Sequence, residues 1–507
     1  MLRFLVFRDG QPAPEVDLSG AHLLGSDGVP LRADISYENG QIICRKRAPG
    51  PAGLAIPWTI AKGGRMLFET TKLPERERPY ILQVELLRGR LMRIAQKRED
   101  WGLYEFDGVD EVANQVEAAR DLLIECLQAD TPEHAAQLAD KGLVTGLRAA
   151  EGLTAFHAEI FYCRRKQVGG FPKRLVGCVV DPMCTDEAYR SAIASTCDYI
   201  TIPFNWRRIE PKEQAFHWKP YDLWVDWAAK NKIGIRGGSL VSFTETHIPD
   251  WSYIWEHDFE TLRDLVVENV RRVIRRYGRH VFAWEVVSGL HAGCCFSFNF
   301  EQLIELTRTT VAAAKQLSPS STAVIDLVAP WGEYYALNQR TIPPMLYAEM
   351  AMQSGIHFDA FGVQCYMGVG ADGMYVRDIF HLSSMLDRFS AFGKPVHITG
   401  IGVPSGTEPD PQDAWQGRIA PQTGGTWHMP WSEDLQKAWM RRVYHIALSK
   451  PYIDCISWRD FSDAADHYLP HGGLLRQDGS PKPALAELRT IRDDVRGGEK
   501  PTAAVHP

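Results

Sequence analysis

Eight short apolar runs alternate with amphipathic stretches through the later two thirds of the chain, and short alternating runs broken by Gly and Pro fill the first hundred residues. Between them the hydrophobic period changes from two to 3.6. Together these observations predict an α/β protein, a (β/α)8 TIM barrel preceded by a small N-terminal β-sandwich-like domain and a helical pair. The expected limits are residues 1–107 for the sandwich, 108–172 for the helical bridge, 173–495 for the barrel and 496–507 for a frayed tail.

In the first region, Gln41-Ile-Ile-Cys-Arg45 and Tyr80-Ile-Leu-Gln-Val-Glu-Leu86 read as strands, while Pro12, Pro14, Pro49, Pro51 and Pro57 fall between runs. Met1-Leu-Arg-Phe-Leu-Val-Phe-Arg8 alternates like an edge strand, and its apolar run is too short for a signal peptide. The domain is a candidate carbohydrate-binding module. From about 110 the pattern turns helical, with Val112, Val116, Ala119 and Leu123 on one face. Thr131-Pro132 reads as a helix start, a capping hydroxyl followed by a proline at the first turn. The second helix runs through Leu138, Leu147, Leu153 and Phe156 towards Arg165, and Gly169-Gly-Phe-Pro172 ends it. Two such helices pair antiparallel as a brace.

Barrel strands are expected near 174–180, 198–202, 233–241, 281–287, 322–328, 358–365, 395–401 and 453–458. The clearest helix, 258–277, keeps Leu262, Leu265, Val266, Val270, Val273, Ile274 and Tyr277 at 3-4 spacing with Arg271, Arg272, Arg275 and Arg276 facing out. In such a barrel the chemistry lies at the C-terminal strand ends. The loop after strand 7 is long, from Gly402 to Trp431, and stops at the cap Ser432-Glu-Asp434. Its Trp415, Trp427 and Trp431 serve either as local core or as a sugar-stacking surface. Of 15 Trp residues only Trp58 and Trp101 precede residue 200, so flat amphipathic surface concentrates in the barrel.

Composition narrows the function classes. The 507 residues are 45% hydrophobic and 23% charged with a formal net charge of −7, which excludes disordered and collagen-like classes and provides no basic field for nucleic acid or anionic membrane. No apolar stretch reaches spanning length. Ten scattered cysteines without a C-x-x-C pair read as a reduced chain, and with no signal peptide the expected location is cytoplasmic. No histidine cluster has metal spacing, so no metal is expected. Gly368-Val-Gly-Ala-Asp-Gly373 spells G-x-G-x-x-G, but Met374-Tyr375 is a poor helix start, so the run reads as a barrel loop and no cofactor is expected.

At the strand ends the chain resembles the family 10 glycoside hydrolases of the endo-1,4-β-xylanase type. Trp206 with Ile209-Glu-Pro211 and Phe216 is similar to W-x-x-I-E-P-x-x-x-x-F, and Arg236-Gly-Gly-Ser-Leu-Val241 with Pro249-Asp-Trp251 to the third-strand R-G-H-T-L-V-W and P-x-W run. Trp284-Glu-Val-Val-Ser-Gly289 lies over W-D-V-V-N-E, Phe358-Asp-Ala-Phe-Gly-Val-Gln364 over D-G-I-G-L-Q, and Val396-His-Ile-Thr-Gly400 over I-T-E. Trp458, Gly473-Leu-Leu475 and Pro481-Lys-Pro-Ala484 resemble the family's ending. The resemblance covers about 174–490. It implies a β-linked polysaccharide or oligosaccharide as partner and substrate contacts at Asn205, Trp206, Trp284, Gln364, Tyr366, His397 and Trp458.

The resemblance also implies two glutamates, an acid and a nucleophile with carboxyls roughly 5 Å apart. Those positions hold Gly289 and Gly400, which supply neither proton nor nucleophile. The expected function is therefore recognition of a β-glycan by a protein inactive or impaired as a retaining glycosidase. The alternative is an active O-glycosyl hydrolase that uses relocated carboxylates, Glu285 on strand 4, Glu333 after strand 5 or Glu245 after strand 3; each of these also reads as an ordinary paired or loop residue.

Overall fold

A computed structural model describes residues 1–497 apart from 104, 105, 107, 372 and 465; most of the expected tail, 498–507, lies outside the described residues. Eight parallel strands close into a barrel, each hydrogen-bonded to the next in sequence and the last to the first. They are Val176–Val179, Tyr199–Pro203, Gly234–Gly238, Val281–Ser288, Thr322–Leu327, Ala360–Tyr366, Val396–Gly402 and Ile453–Trp458, called strands 1 to 8 below. Each corresponds to an apolar run of the sequence, because a strand covered by helices outside and packed inside is apolar on both faces. The amphipathic helix Phe259–Tyr277 buries Leu262, Val266, Val270, Val273 and Ile274, and Asp258 caps it by accepting from the Thr261 N–H at 3.1 Å.

The N-terminal strands form a four-stranded and a five-stranded sheet. The edge strand of the larger sheet comes from the far end of the chain. Thr426–Trp427, inside the long loop after strand 7, pairs antiparallel with Arg65 and Gly64. That loop stitches the sheet to the barrel.

The expected strand Tyr80–Leu86 is corrected. Only Tyr80–Ile81 is extended, and Leu82–Asp100 is a helix. Leu82, Leu86, Leu87, Arg90 and Ile94 are buried on it at helical spacing, so continuation past Leu86 decides the conformation where the first six residues alone are ambiguous. The helical brace is Asp110–Gln128 and Pro132–Gln167, and the Thr131 hydroxyl caps the second by accepting from the His134 N–H at 3.2 Å. This 36-residue helix packs against Leu82–Asp100 on one side and the barrel helix Glu433–Ser449 on the other. Among the described residues no helix is long and apolar enough to cross a membrane.

Candidate functional site

The barrel interior is polar towards its C-terminal mouth. Strand 3 contributes Arg236, strand 4 Glu285 and Ser288, strand 5 Asp326, strand 6 Gln364, and strand 7 His397 and Thr399. The Asp326 carboxylate gathers this layer. It accepts from Ser288 Oγ and Gln364 Nε2, both at 2.6 Å, and from the Thr399 hydroxyl. Arg236 donates to His397 Nδ1 at 2.9 Å and lies 3.8 Å from Glu285 Oε1. The Ser239 N–H reaches Glu285 Oε2 at 3.3 Å, while Oε1 has no hydrogen-bond partner. Burial, reinforced by the neighbouring Asp326, pushes the Glu285 carboxyl up to about 8. Burial likewise raises Asp326, against the three hydrogen bonds that favour its ionised form. His397 is held well below the usual imidazole range by burial and by the Arg236 charge.

Strands 4 and 7 both slip register just before their ends, strand 4 against strand 5 between Glu285 and Val287, and strand 7 against strand 6 at Thr399. Such irregularities re-aim the residues that follow. The two glycines follow them. Gly289 has φ +68°, where a side chain is strained, and a Cβ there would come 3.1 Å from Val328 Cγ2. A Cβ on Gly400 would come 2.0 Å from the Tyr366 hydroxyl, so the tyrosine occupies the space a side chain at 400 would need.

Of the sequence candidates, Asn205, Gln364 and Tyr366 come from C-terminal strand ends or the loops beyond, whereas His397, the second residue of strand 7, lies deep in the barrel against Arg236. Asn205 caps the short helix Trp206–Ile209, accepts from the Arg208 N–H at 3.1 Å and donates to Thr246 O at 3.0 Å. Three aromatic contacts are corrected. Trp284 is buried outside the barrel wall against Phe204, which stacks on Tyr221 and Tyr277 of the helix layer. Trp458 is fully buried against Trp439 of the helix Glu433–Ser449 and donates to Gly472 O at 2.9 Å. Trp206 is buried edge-on to Trp251 and donates to Glu210 Oε2 at 3.0 Å. Alternation along a strand sends one residue to the axis and the next to the helices, and the Trp284 and Trp458 indoles took the helix side.

Two relocated-carboxylate candidates also lie elsewhere. Glu333 is buried at the seam with the N-terminal sheets, ion-paired with Arg377 and accepting from the Gly373 N–H at 2.7 Å. Glu245 is exposed on the outer rim. Glu285 alone of the three reaches the barrel interior. Of the loop tryptophans, Trp427 donates to Glu151 Oε1 at 2.8 Å and Trp431 to Gly425 O at 3.1 Å, both as buried seam residues, whereas Trp415 leans on Tyr468 at the mouth.

The mouth holds a cavity of about 320 Å³ between the ends of strands 1, 2 and 8, lined by Asp181, Asn205, Arg208, Arg459, Asp460 and Tyr468 among others. Asp326 and Arg459 are site residues that the motif reading passed over. Asp326 leaves a sequence signal, an acid inside the apolar run Val324-Ile-Asp-Leu327, and Arg459 follows Trp458 at a strand end.

Comparison with known proteins finds a family likeness over part of the chain. The model of Glycosyl hydrolase family 10 matches residues 169–294, which span strands 1 to 4 and Gly289. Over those residues the chain is similar to that family. Among curated relatives, a β-1,4-xylanase of Dictyoglomus thermophilum is 37% identical over 83 residues, 16% of this chain and 22% of that protein. Endo-1,4-β-xylanase B of Thermotoga neapolitana is 20% identical over 309 residues, 57% of this chain and 78% of that one. The matches thus span only about a fifth of the first two curated relatives, 22% and 19% of their lengths. Native xylanase 10B of Thermotoga maritima superposes on 66% of this chain and 99% of its own, with TM-score 0.48 and 16% identity.

Proposed function

We propose that this family 10-like protein recognises a β-linked polysaccharide or oligosaccharide at the barrel mouth and does not act as a retaining glycosidase. The observation that carries the reading is the pair of closed glycine positions. Gly289 lies in a left-handed conformation, and the space beside Gly400 is filled by the Tyr366 hydroxyl. Retaining hydrolysis needs two carboxyl groups on opposite sides of the scissile bond, one to protonate and one to attack. Losing both leaves positioning alone. Asn205, Gln364 and the aromatic pair Trp415 and Tyr468 are groups that hold a sugar through hydrogen bonds and C–H faces.

The test is hydrolysis of an aryl β-xyloside with and without azide, beside calorimetry on xylo-oligosaccharides. The expected result is binding heat with no turnover in either condition. Turnover without azide that persists in purified protein overturns the inactive reading. The absence of heat with every β-glycan overturns the carbohydrate reading. One observation favours relocated catalysis, the Glu285 carboxyl raised to about 8 inside the barrel, where it could hold a proton for a leaving group. In that case Glu285→Gln abolishes the turnover.

A further inference from the structure

Independently of the sugar reading, we infer that the adjacent Cys294 and Cys295 form a hydroperoxide-sensitive dithiol, with Cys295 as the attacking sulfur and Cys294 as the resolving one. The pair lies in the loop between strand 4 and the helix Phe300–Leu317, a few residues beyond Gly289. Both cysteines are half-buried, so a small reagent reaches them while the backbone around them is held. The Cys295 N–H donates to Phe243 O at 2.9 Å, and the Phe296 N–H donates to Cys294 Sγ at 3.3 Å. Phe296 is buried, its ring 5.7 Å from Phe243 and 5.1 Å from Tyr253, which anchors the loop beside the short helical turn Asp250–Trp255. The Cys294 thiol and the Tyr253 hydroxyl both hydrogen-bond the Cys295 sulfur. Those two bonds, that from Cys294 first, favour the thiolate and bring Cys295 down to about 7, against partial burial and the charge of Glu245. Burial pushes Cys163, Cys184 and Cys365 the other way. Exposure alone does not lower a thiol here, since Cys163 is exposed and still raised, with Glu159 beside it.

A thiol that loses its proton near ambient pH is the best attacking sulfur, being largely ionised without losing its nucleophilicity. An accessible thiolate beside a second cysteine is the arrangement that peroxide oxidises reversibly. The Cys295 thiolate attacks the peroxide O–O bond and takes one oxygen as a sulfenic acid, and the other oxygen leaves as hydroxide. The Cys294 sulfur then attacks the sulfenic sulfur, gives up its proton and displaces the oxygen as water, closing the S–S bond. The two thiols together lose two electrons and two protons, and the peroxide is reduced to two molecules of water. Neighbouring Cα atoms lie about 3.8 Å apart across a trans peptide bond, closer than the separation of about 4.4–6.8 Å in ordinary disulfides, so the bridge is strained and easily reduced again.

Peptide mass mapping of the full chain tests this after treatment with a small excess of hydrogen peroxide and digestion without reductant. The peptide holding Cys294 and Cys295 is expected to lose two hydrogens before any other cysteine is oxidised, and dithiothreitol is expected to restore it. In Cys294→Ser the sulfenic acid on Cys295 persists and is captured by dimedone. Tyr253→Phe removes one donor to the sulfur and slows alkylation of Cys295 by iodoacetamide at pH 7 about threefold or more, measured against Cys163 in the same digest. Thermal unfolding reports that each variant is folded, and the ranking of sites in the unsubstituted protein needs no variant. Oxidation of Cys163 or Cys184 ahead of the pair, or unchanged alkylation of Cys295 in Tyr253→Phe, overturns the activated thiol. A sulfinic acid on Cys295 with no bridge to Cys294, or a bridge between two chains, overturns the resolving role of Cys294.

Discussion

Two regions of this protein bury charge, and they treat it in opposite ways. At the seam between the N-terminal sheets and the barrel, the buried charges of Arg90, Glu69 and Glu333 each have a partner. Arg90 pairs with Asp378 with both side chains fully buried, Arg93 and His381 share Glu69, and Arg377 pairs with Glu333. There the carboxylates stay ionised, Glu69 and Asp378 both held below the usual range against the opposing effect of burial. At the barrel mouth, Glu285 and Asp326 are both pushed up, and one Glu285 oxygen and the Tyr366 hydroxyl have no hydrogen-bond partner. The seam is built for cohesion. At the mouth two carboxyls are instead buried side by side and raised, and perturbed groups of that kind gather where something else is bound.

Breaking the seam gives the largest expected effect. Asp378→Asn leaves the Arg90 guanidinium buried without its counter-charge, while the amide oxygen keeps the helix cap that accepts from the His381 N–H at 2.8 Å. Chemical denaturation should register a loss of about 3–5 kcal/mol. A loss below about 1 kcal/mol would mean that water reaches the seam and that the two regions do not differ.

Next comes placement of acids at the two glycines. Gly289→Glu with Gly400→Glu should destabilise the fold by a few kcal/mol, from left-handed backbone strain of about 1–2 kcal/mol at 289 and from collision with Tyr366 at 400. Aryl β-xyloside hydrolysis should stay at background. Recovered hydrolysis would show that the mouth accommodates the carboxylates after all, and would sink the proposed function.

A third comparison uses pH. The Glu285 carboxyl titrates near 8 in the fold and near 4.5 in an open chain, so the folded state binds the extra proton between those values. Stability therefore falls as pH rises from about 4.5 to about 8 and levels above it. Glu285→Gln should flatten that slope in thermal melts across this range. A slope unchanged by the substitution would assign the titration to another group.

The smallest effect is expected at the seam's edge, where His428 meets Glu151 at 2.8 Å and is raised by that hydrogen bond. Its contribution is present below the ordinary imidazole value and is lost as pH rises through the raised one. His428→Ala should cost under about 1 kcal/mol at pH 6 and less at pH 9.

The barrel was legible in the sequence because each strand and helix writes its period locally. Leu262, Val266, Val270 and Val273 declare their helix whatever lies across from them. The glycines at 289 and 400 were equally legible, being identities rather than arrangements. The direction of the aromatic side chains was not. Trp284 and Trp458 sit at motif positions but face the helices, and the register slips on strands 4 and 7 that re-aim the ends of those strands depend on pairing with neighbours far along the chain.

The sequence by itself determined the strand–helix count, the helix caps at Thr131 and Ser432, and the absence of acids at two strand ends. Only the tertiary structure decided which cation each buried carboxylate meets and which carboxyl is raised. Glu333 is ion-paired because Arg377, 44 residues later, folds onto it, and Glu285 is raised, although Arg236 lies 3.8 Å away, because it is buried and Asp326 stands beside it on the next strand. The physical reason is that ionisation, satisfaction and exposure depend on what surrounds a group within a few ångströms, and in a closed barrel those surroundings come from strands dozens of residues apart.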